Sequence, residues 1–151
     1  MNEFLYLSRI CIVILLVAAS CKESSDLTSC SQFEYETACG WCAGSTLIIV
    51  GGNEVSYKRI IPCGENKGIV EKSRHLNADQ LVILENSIDF DKFLDLEINQ
   101  CGVCFDGCDE RLKITKDGTK HEIRYLITSV PEEVDSLRML LQGIILQFGT
   151  E

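Results

Sequence analysis

The stretch "STLIIVGGNEVSYKRIIPC", residues 45–63, decides the fold. Leu47 to Val50 is an apolar, largely β-branched run. Residues 55–61 alternate, with Val55, Tyr57 and Ile61 on one side and Ser56 and Lys58 on the other. Between the runs, "GGNE" supplies residues that tolerate a positive φ, so the stretch reads as a β-hairpin. With Gly52-Asn53 at the loop centre, Val50 faces Val55 and Ile48 faces Tyr57. Continued outward, this register sets Cys42 opposite Cys63 at a non-hydrogen-bonded site, where side chains come closest. A Cys42–Cys63 disulfide is therefore expected. Pro62 interrupts the ladder beside it, because it lacks a donor.

Downstream, "HLNADQLVILENSID" (75–89) carries Asn77 as N-cap and Gln80 three residues on, the pattern of a capping box. Leu76 and Leu81 flank it as a hydrophobic staple. A helix over 78–88 is expected, with Leu81, Leu84 and Ile88 inward. "FLDLEINQC" (93–101) alternates, which predicts a strand with Leu94, Leu96 and Ile98 inward. "ERLKITKDGTKHEIRYL" (110–126) is a second hairpin around Asp117-Gly118, pairing Leu112 with Ile123 and Glu110 with Tyr125. "SVPEEVDSLRMLLQGIILQFG" (129–149) is an amphipathic helix with Val134, Leu137, Leu141, Ile144, Ile145 and Phe148 on one stripe. Ser129 and Glu132 suit its start and Gly149 its end. The order ββαβββα predicts an α+β domain over 39–149: a small antiparallel sheet of two hairpins plus one strand, each half followed by a helix, packed on one face and stabilised by disulfides.

The chain has 151 residues, suited to one domain. Its net charge of -9 sets it against nucleic acid, since an acidic surface repels phosphate. The N-terminus reads as a targeting segment. "ICIVILLV" (10–17) is too short to span a bilayer, which takes about 20 residues, and small residues follow it. "VAASC" (17–21) resembles the lipobox of Gram-negative and other bacterial lipoproteins, although Ala18 stands where Leu is most usual. The resemblance implies removal of residues 1–20 by cleavage between Ser20 and Cys21. It also implies lipidation of Cys21 with diacylglycerol and palmitate-type chains, and a membrane partner reached through that anchor. "KESSD" (22–26) is similar to the tether of some outer-membrane lipoproteins, which implies the outer membrane, with its outer surface as the further reading. Residues 21–38 are polar and read as a tether. The element order over 46–146, with "FDKF" and "KHEIRY", is similar to emfourin-like protease-inhibitor domains. That likeness implies an inhibitor as an alternative function and transfers no site residue.

Nine cysteines are the outlier of the composition. Cys11 falls in the removed segment and Cys30 in the tether, as the odd one out. "CGWC" (Cys39, Cys42) and "CGVCFDGC" (Cys101, Cys104, Cys108) remain, with Cys63. A thioredoxin-type site would place CxxC between a strand and a helix, and "CGWC" instead precedes a strand, so an extracytoplasmic thiol oxidoreductase is an alternative only. Two CxxC knuckles could hold zinc, but they lie far apart in sequence and exported thiols oxidise. Structural disulfides are the expectation in an oxidising compartment, with Cys39 tying the first hairpin to the "CGVC" loop through an unassigned partner.

Asp89, Asp91, Asp95 and Glu97 are close together, but an EF-hand would need Gly and Glu where Leu94 and Gln100 stand, so a solvated acidic face is expected. His75 reads as exposed, and His121 as a satisfied or edge histidine on the face of Ile114. Trp41 reads as a cover for the disulfides. GxSxG, HExxH, P-loop and GxGxxG patterns are absent. The expected function is a non-enzymatic, membrane-anchored binding or envelope-structural module with no catalytic residue, metal or cofactor.

Overall fold

The computed structural model describes residues 31–149. The expectations for residues 1–30 lie outside the described residues. They comprise the signal peptide, cleavage after Ser20, lipidation of Cys21, and Cys30.

Six antiparallel strands form one sheet in the order β4-β3-β2-β1-β5-β6. They are β1 (Ser31–Cys39), β2 (Gly44–Gly51), β3 (Glu54–Ile61), β4 (Gly68–His75), β5 (Cys108–Lys116) and β6 (Thr119–Leu126). Helices α1 (Ala78–Asn86), α2 (Phe90–Leu94) and α3 (Glu132–Gly149) complete the domain. Phe33, Tyr35, Ile48, Val50, Val55, Leu112, Ile114, Ile123 and Tyr125 of the sheet share one core with Leu84, Phe93 and the α3 stripe. The fold is thus α+β, with helices on one face of an antiparallel sheet.

Both hairpins form in the expected register. Val50 pairs with Val55 and Ile48 with Tyr57; Leu112 pairs with Ile123 and Glu110 with Tyr125. Turn chemistry fixes this, because a one-residue slip would turn every apolar side chain outward. The α1 capping box closes in both directions: Gln80 N donates to Asn77 Oδ1 at 2.9 Å, and Asn77 N to Gln80 Oε1 at 3.1 Å. On α3, Val134, Leu137, Leu141, Ile144 and Phe148 are buried, as the stripe requires. Each such side chain contributes about 1.5–3 kcal/mol gross on leaving water.

Three elements differ from expectation. Residues 31–38 are not tether; they form β1, at the centre of the sheet between β2 and β5. Phe33 and Tyr35 are buried on its helix side. Glu34 and Glu36 point to the open side and pair with Lys113 and Arg111, so the polar composition reflects a charge ladder on a sheet face. Residues 68–75 form an additional edge strand, β4. Two of its inward residues, Lys72 and Arg74, lie beside α3: Lys72 Nζ donates to the Phe148 carbonyl at 2.9 Å, and the Arg74 guanidinium sits over the Phe148 ring. The strand expected over 93–101 is replaced by α2. Asp89 caps it by accepting from Lys92 N at 3.3 Å, and Phe93 is buried. Beyond it, Asn99 makes a single parallel bridge to Arg124, while Leu96 and Ile98 still pack on the core.

Candidate functional site

One end of the sheet gathers the β1–β2 turn, the segment after β3 and the loop entering β5. The three disulfides are all there: Cys39–Cys108, Cys42–Cys63 and Cys101–Cys104. Cys42–Cys63 is the pair the hairpin register requires. Cys39 and Cys108 are direct partners across the β1–β5 ladder, with Cα atoms 4.1 Å apart. This spacing suits a close cross-strand site, but it became readable only once β1 was known to be a strand. The two cysteines of "CGWC" therefore go to different partners, and a thioredoxin-type exchange across that motif has no bond to act on. The four cysteines of the two CxxC motifs are all oxidised, so none is a thiolate ligand for zinc. Among the described residues, no group of three or more Cys, His, Asp or Glu side chains is placed to hold a metal ion.

The disulfides are supplemented by tight backbone contact. Gly40 N donates to the Gly107 carbonyl at 3.0 Å. A Cβ on Gly40 would lie 3.1 Å from Asp106 Cα, so glycine lets the two cysteine loops touch. Val103–Phe105 is one 3-10 turn ending at Asp106 in the left-handed region, φ 61°. Asp109, nearly fully buried, fastens that turn to the sheet by accepting from Gly102 N and, at 3.1 Å, from Val103 N.

This rigid end presents large apolar side chains to solvent. Trp41 is 83% exposed and Phe105 87%, the two highest values among the described large hydrophobics. Trp41 therefore does not cover the disulfides. It also holds φ at 53°, a region that costs a side-chain-bearing residue about 1–2 kcal/mol. Ile127, whose N–H approaches the Cys108 carbonyl, and the Ile60–Ile69 pair at the ends of β3 and β4 add further exposed apolar surface to this end.

A second polar constellation lies between the sheet and α3. Glu110 is fully buried. Arg138 Nε donates to its Oε2 at 2.5 Å and Arg138 Nη2 to its Oε1 at 2.9 Å; Gln142 Nε2 adds 3.2 Å to Oε1 and 3.0 Å to the Tyr35 hydroxyl. Burial first, and the Glu110 charge second, push the phenols of Tyr35 and Tyr125 well above their ordinary range. The hydrogen bonds to Glu110 push the Arg138 guanidinium up as well. The Tyr125 hydroxyl feels the Glu110 charge but has no hydrogen-bond partner of normal geometry. With its carboxylate closed off from water, this cluster fastens α3 to β1 and β5.

The remaining candidates resolve individually. His121 Nε2 lies 2.9 Å from the Leu96 carbonyl, and its ring meets Phe93 edge-on, a satisfied histidine. His75 is exposed. Asp89 is a helix cap, while Asp91, Asp95 and Glu97 are solvent-facing.

Fold and site together define a small, cysteine-rich α+β domain whose disulfides are concentrated at one end. The sequence matches no known family model and no curated protein.

Proposed function

We propose that the protein is a lipid-anchored, extracytoplasmic binding module that contacts an envelope protein through the clamped end of its sheet. One observation carries the reading: two long-range disulfides, Cys39–Cys108 and Cys42–Cys63, and the Asp109 bonds to Gly102 and Val103 hold in place the loops whose tips are Trp41 and Phe105, both more than four-fifths exposed. Large aromatic side chains supply contact area at low entropic cost, and clamping the loops beforehand lowers the cost of binding further. The anchor rests on "VAASC" and its cysteine.

Photo-crosslinking tests the surface. A benzophenone amino acid at position 105 should give a discrete adduct in native membranes. The same probe at position 139, on the exposed side of α3, should give none. Equal adducts at both sites, or none at 105, would remove the reading. For the anchor, a clickable palmitate analogue should label the wild type and not Cys21→Ala.

A further inference from the structure

The disulfides differ in what their closure does. Cys39–Cys108 and Cys42–Cys63 span 69 and 21 residues of sequence. Cys101–Cys104 spans three. A crosslink this local restricts the unfolded chain least. Nor does the turn depend on it: Asp109 already holds Gly102 and Val103, while Phe105 N and Gly107 N both donate to the Gly102 carbonyl, at 2.9 and 2.8 Å. The two sulfurs also differ in setting. Cys104 is exposed. Cys101 is half-buried and lines a cavity of about 230 Å³ shared with Glu36, Asp109, Arg111 and Arg124. Glu36 is neutralised by Arg111, while Asp109 keeps its charge and accepts hydrogen bonds from the two loop amides. Arg124 has no ion-pair partner among the described residues.

We propose that Cys101–Cys104 is a thiol–disulfide exchange site that takes two electrons from a protein dithiol, while the other two disulfides are structural. A thiolate of the dithiol attacks the accessible Cys104 Sγ. The bond between Cys104 and Cys101 breaks, and its electron pair leaves on Cys101 Sγ, inside the cavity that holds Arg124. A cation beside a leaving thiolate lowers its pKa and speeds departure. The second thiol of the donor, on losing its proton, attacks its own sulfur in the mixed disulfide and releases Cys104 as thiolate. The donor ends as a disulfide, and Cys101 and Cys104 each take up one proton. Because hydrogen bonds keep the turn in shape, the two thiols stay neighbours and the step is reversible.

Redox titration of the purified full-length protein tests this. The protein is equilibrated in mixtures of reduced and oxidised dithiothreitol, alkylated and peptide-mapped. Cys101 and Cys104 should become alkylated at a dithiol-to-disulfide ratio about tenfold lower than either other pair requires. Reduction of all three pairs together, or of this pair last, overturns the proposal. With glutathione as a monothiol, the adduct should map to Cys104; an adduct on Cys101 overturns the stated direction of attack. Arg124→Gln should slow reduction of this pair by about threefold or more, with the other two pairs unaffected. An unchanged rate removes Arg124 from the mechanism.

Discussion

Replacing Arg138 with methionine keeps a long apolar stem and deletes the guanidinium. The consequence falls on Glu110, which is 0% exposed and loses the group that binds both of its oxygens, at 2.5 and 2.9 Å. Gln142, at 3.2 Å, is left as the donor. Breaking a buried pair from one side costs about 3–5 kcal/mol, because the remaining charge is neither solvated nor neutralised. The lost contact from Arg138 to the half-exposed Asp135, at 3.6 Å, adds under about 1 kcal/mol. A domain of this size has about 5–15 kcal/mol in all, so Arg138→Met removes a large share of it. The double variant Glu110→Leu with Arg138→Met removes both charges, and such replacements are often neutral or stabilising. Urea unfolding followed by circular dichroism reads the four corners of the cycle. The single variant should lose about 3–5 kcal/mol and the double variant should recover most of it. A single-variant loss below about 1 kcal/mol, or a double variant no better than the single, would refute the claim that Glu110 depends on Arg138.

Three further outcomes are expected. Tyr35 and Tyr125 have phenols whose pKa is raised in the folded state, so their contribution is complete below the unfolded value of about 10 and is lost as pH rises beyond it. Stability should therefore fall above about pH 10, and two tyrosines should gain tyrosinate absorbance only as the chain unfolds; their free titration in the folded protein would contradict their burial. Removing the disulfides by paired Cys→Ser substitution should cost about 4.4 kcal/mol for Cys39–Cys108, 3.4 for Cys42–Cys63 and 1.9 for Cys101–Cys104, from loops of 70, 22 and 4 residues. Denaturant midpoints check the ranking, and a reversed order would show that native packing, not loop length, dominates. Trp41→Gly relieves a positive φ and removes no buried contact, so stability should stay level or rise by up to about 1 kcal/mol while adducts at position 105 weaken; a loss above about 1 kcal/mol would mean that Trp41 packs against the disulfides after all.

Local chemistry made the hairpins and both longer helices legible. Gly52-Asn53 and Asp117-Gly118 set two registers, and Asn77 with Gln80 set a helix start. What was not legible depended on distant partners. Glu34 and Glu36 look like tether residues until Lys113 and Arg111 are seen opposite them across β1–β5. β4 carries no buried apolar residue, since the positions beside α3 are taken by Lys72 and Arg74, whose charged ends meet the Phe148 carbonyl and ring. "FLDLEINQC" alternates, yet Asp89 caps a helix just before it, and the cap outweighs the alternation. The Cys42–Cys63 bond followed from one register, whereas Cys39–Cys108 needed a second register involving a strand that had not been read. Phe105 gave no periodic signal because it sits in a 3-10 turn. Glu110 did leave a trace: the second hairpin places it opposite Tyr125 on the inward face, and Val134, Arg138 and Gln142 recur every four residues on α3. An inward acid facing an inward base is a pattern that sequence can show.

The position of β1 has a mechanical consequence. The chain enters β1 at Ser31, beside Lys116 and the Asp117-Gly118 turn, and reaches the disulfides at Cys39. Nine extended residues separate those points, a span of about 30 Å. A load applied between the upstream chain and the Trp41 end therefore runs along the strand axis. Because β1 is already extended, its covalent backbone carries that load with no ladder having to open, and the Cys39–Cys108 bond passes it on to the start of β5 and the Phe105 loop.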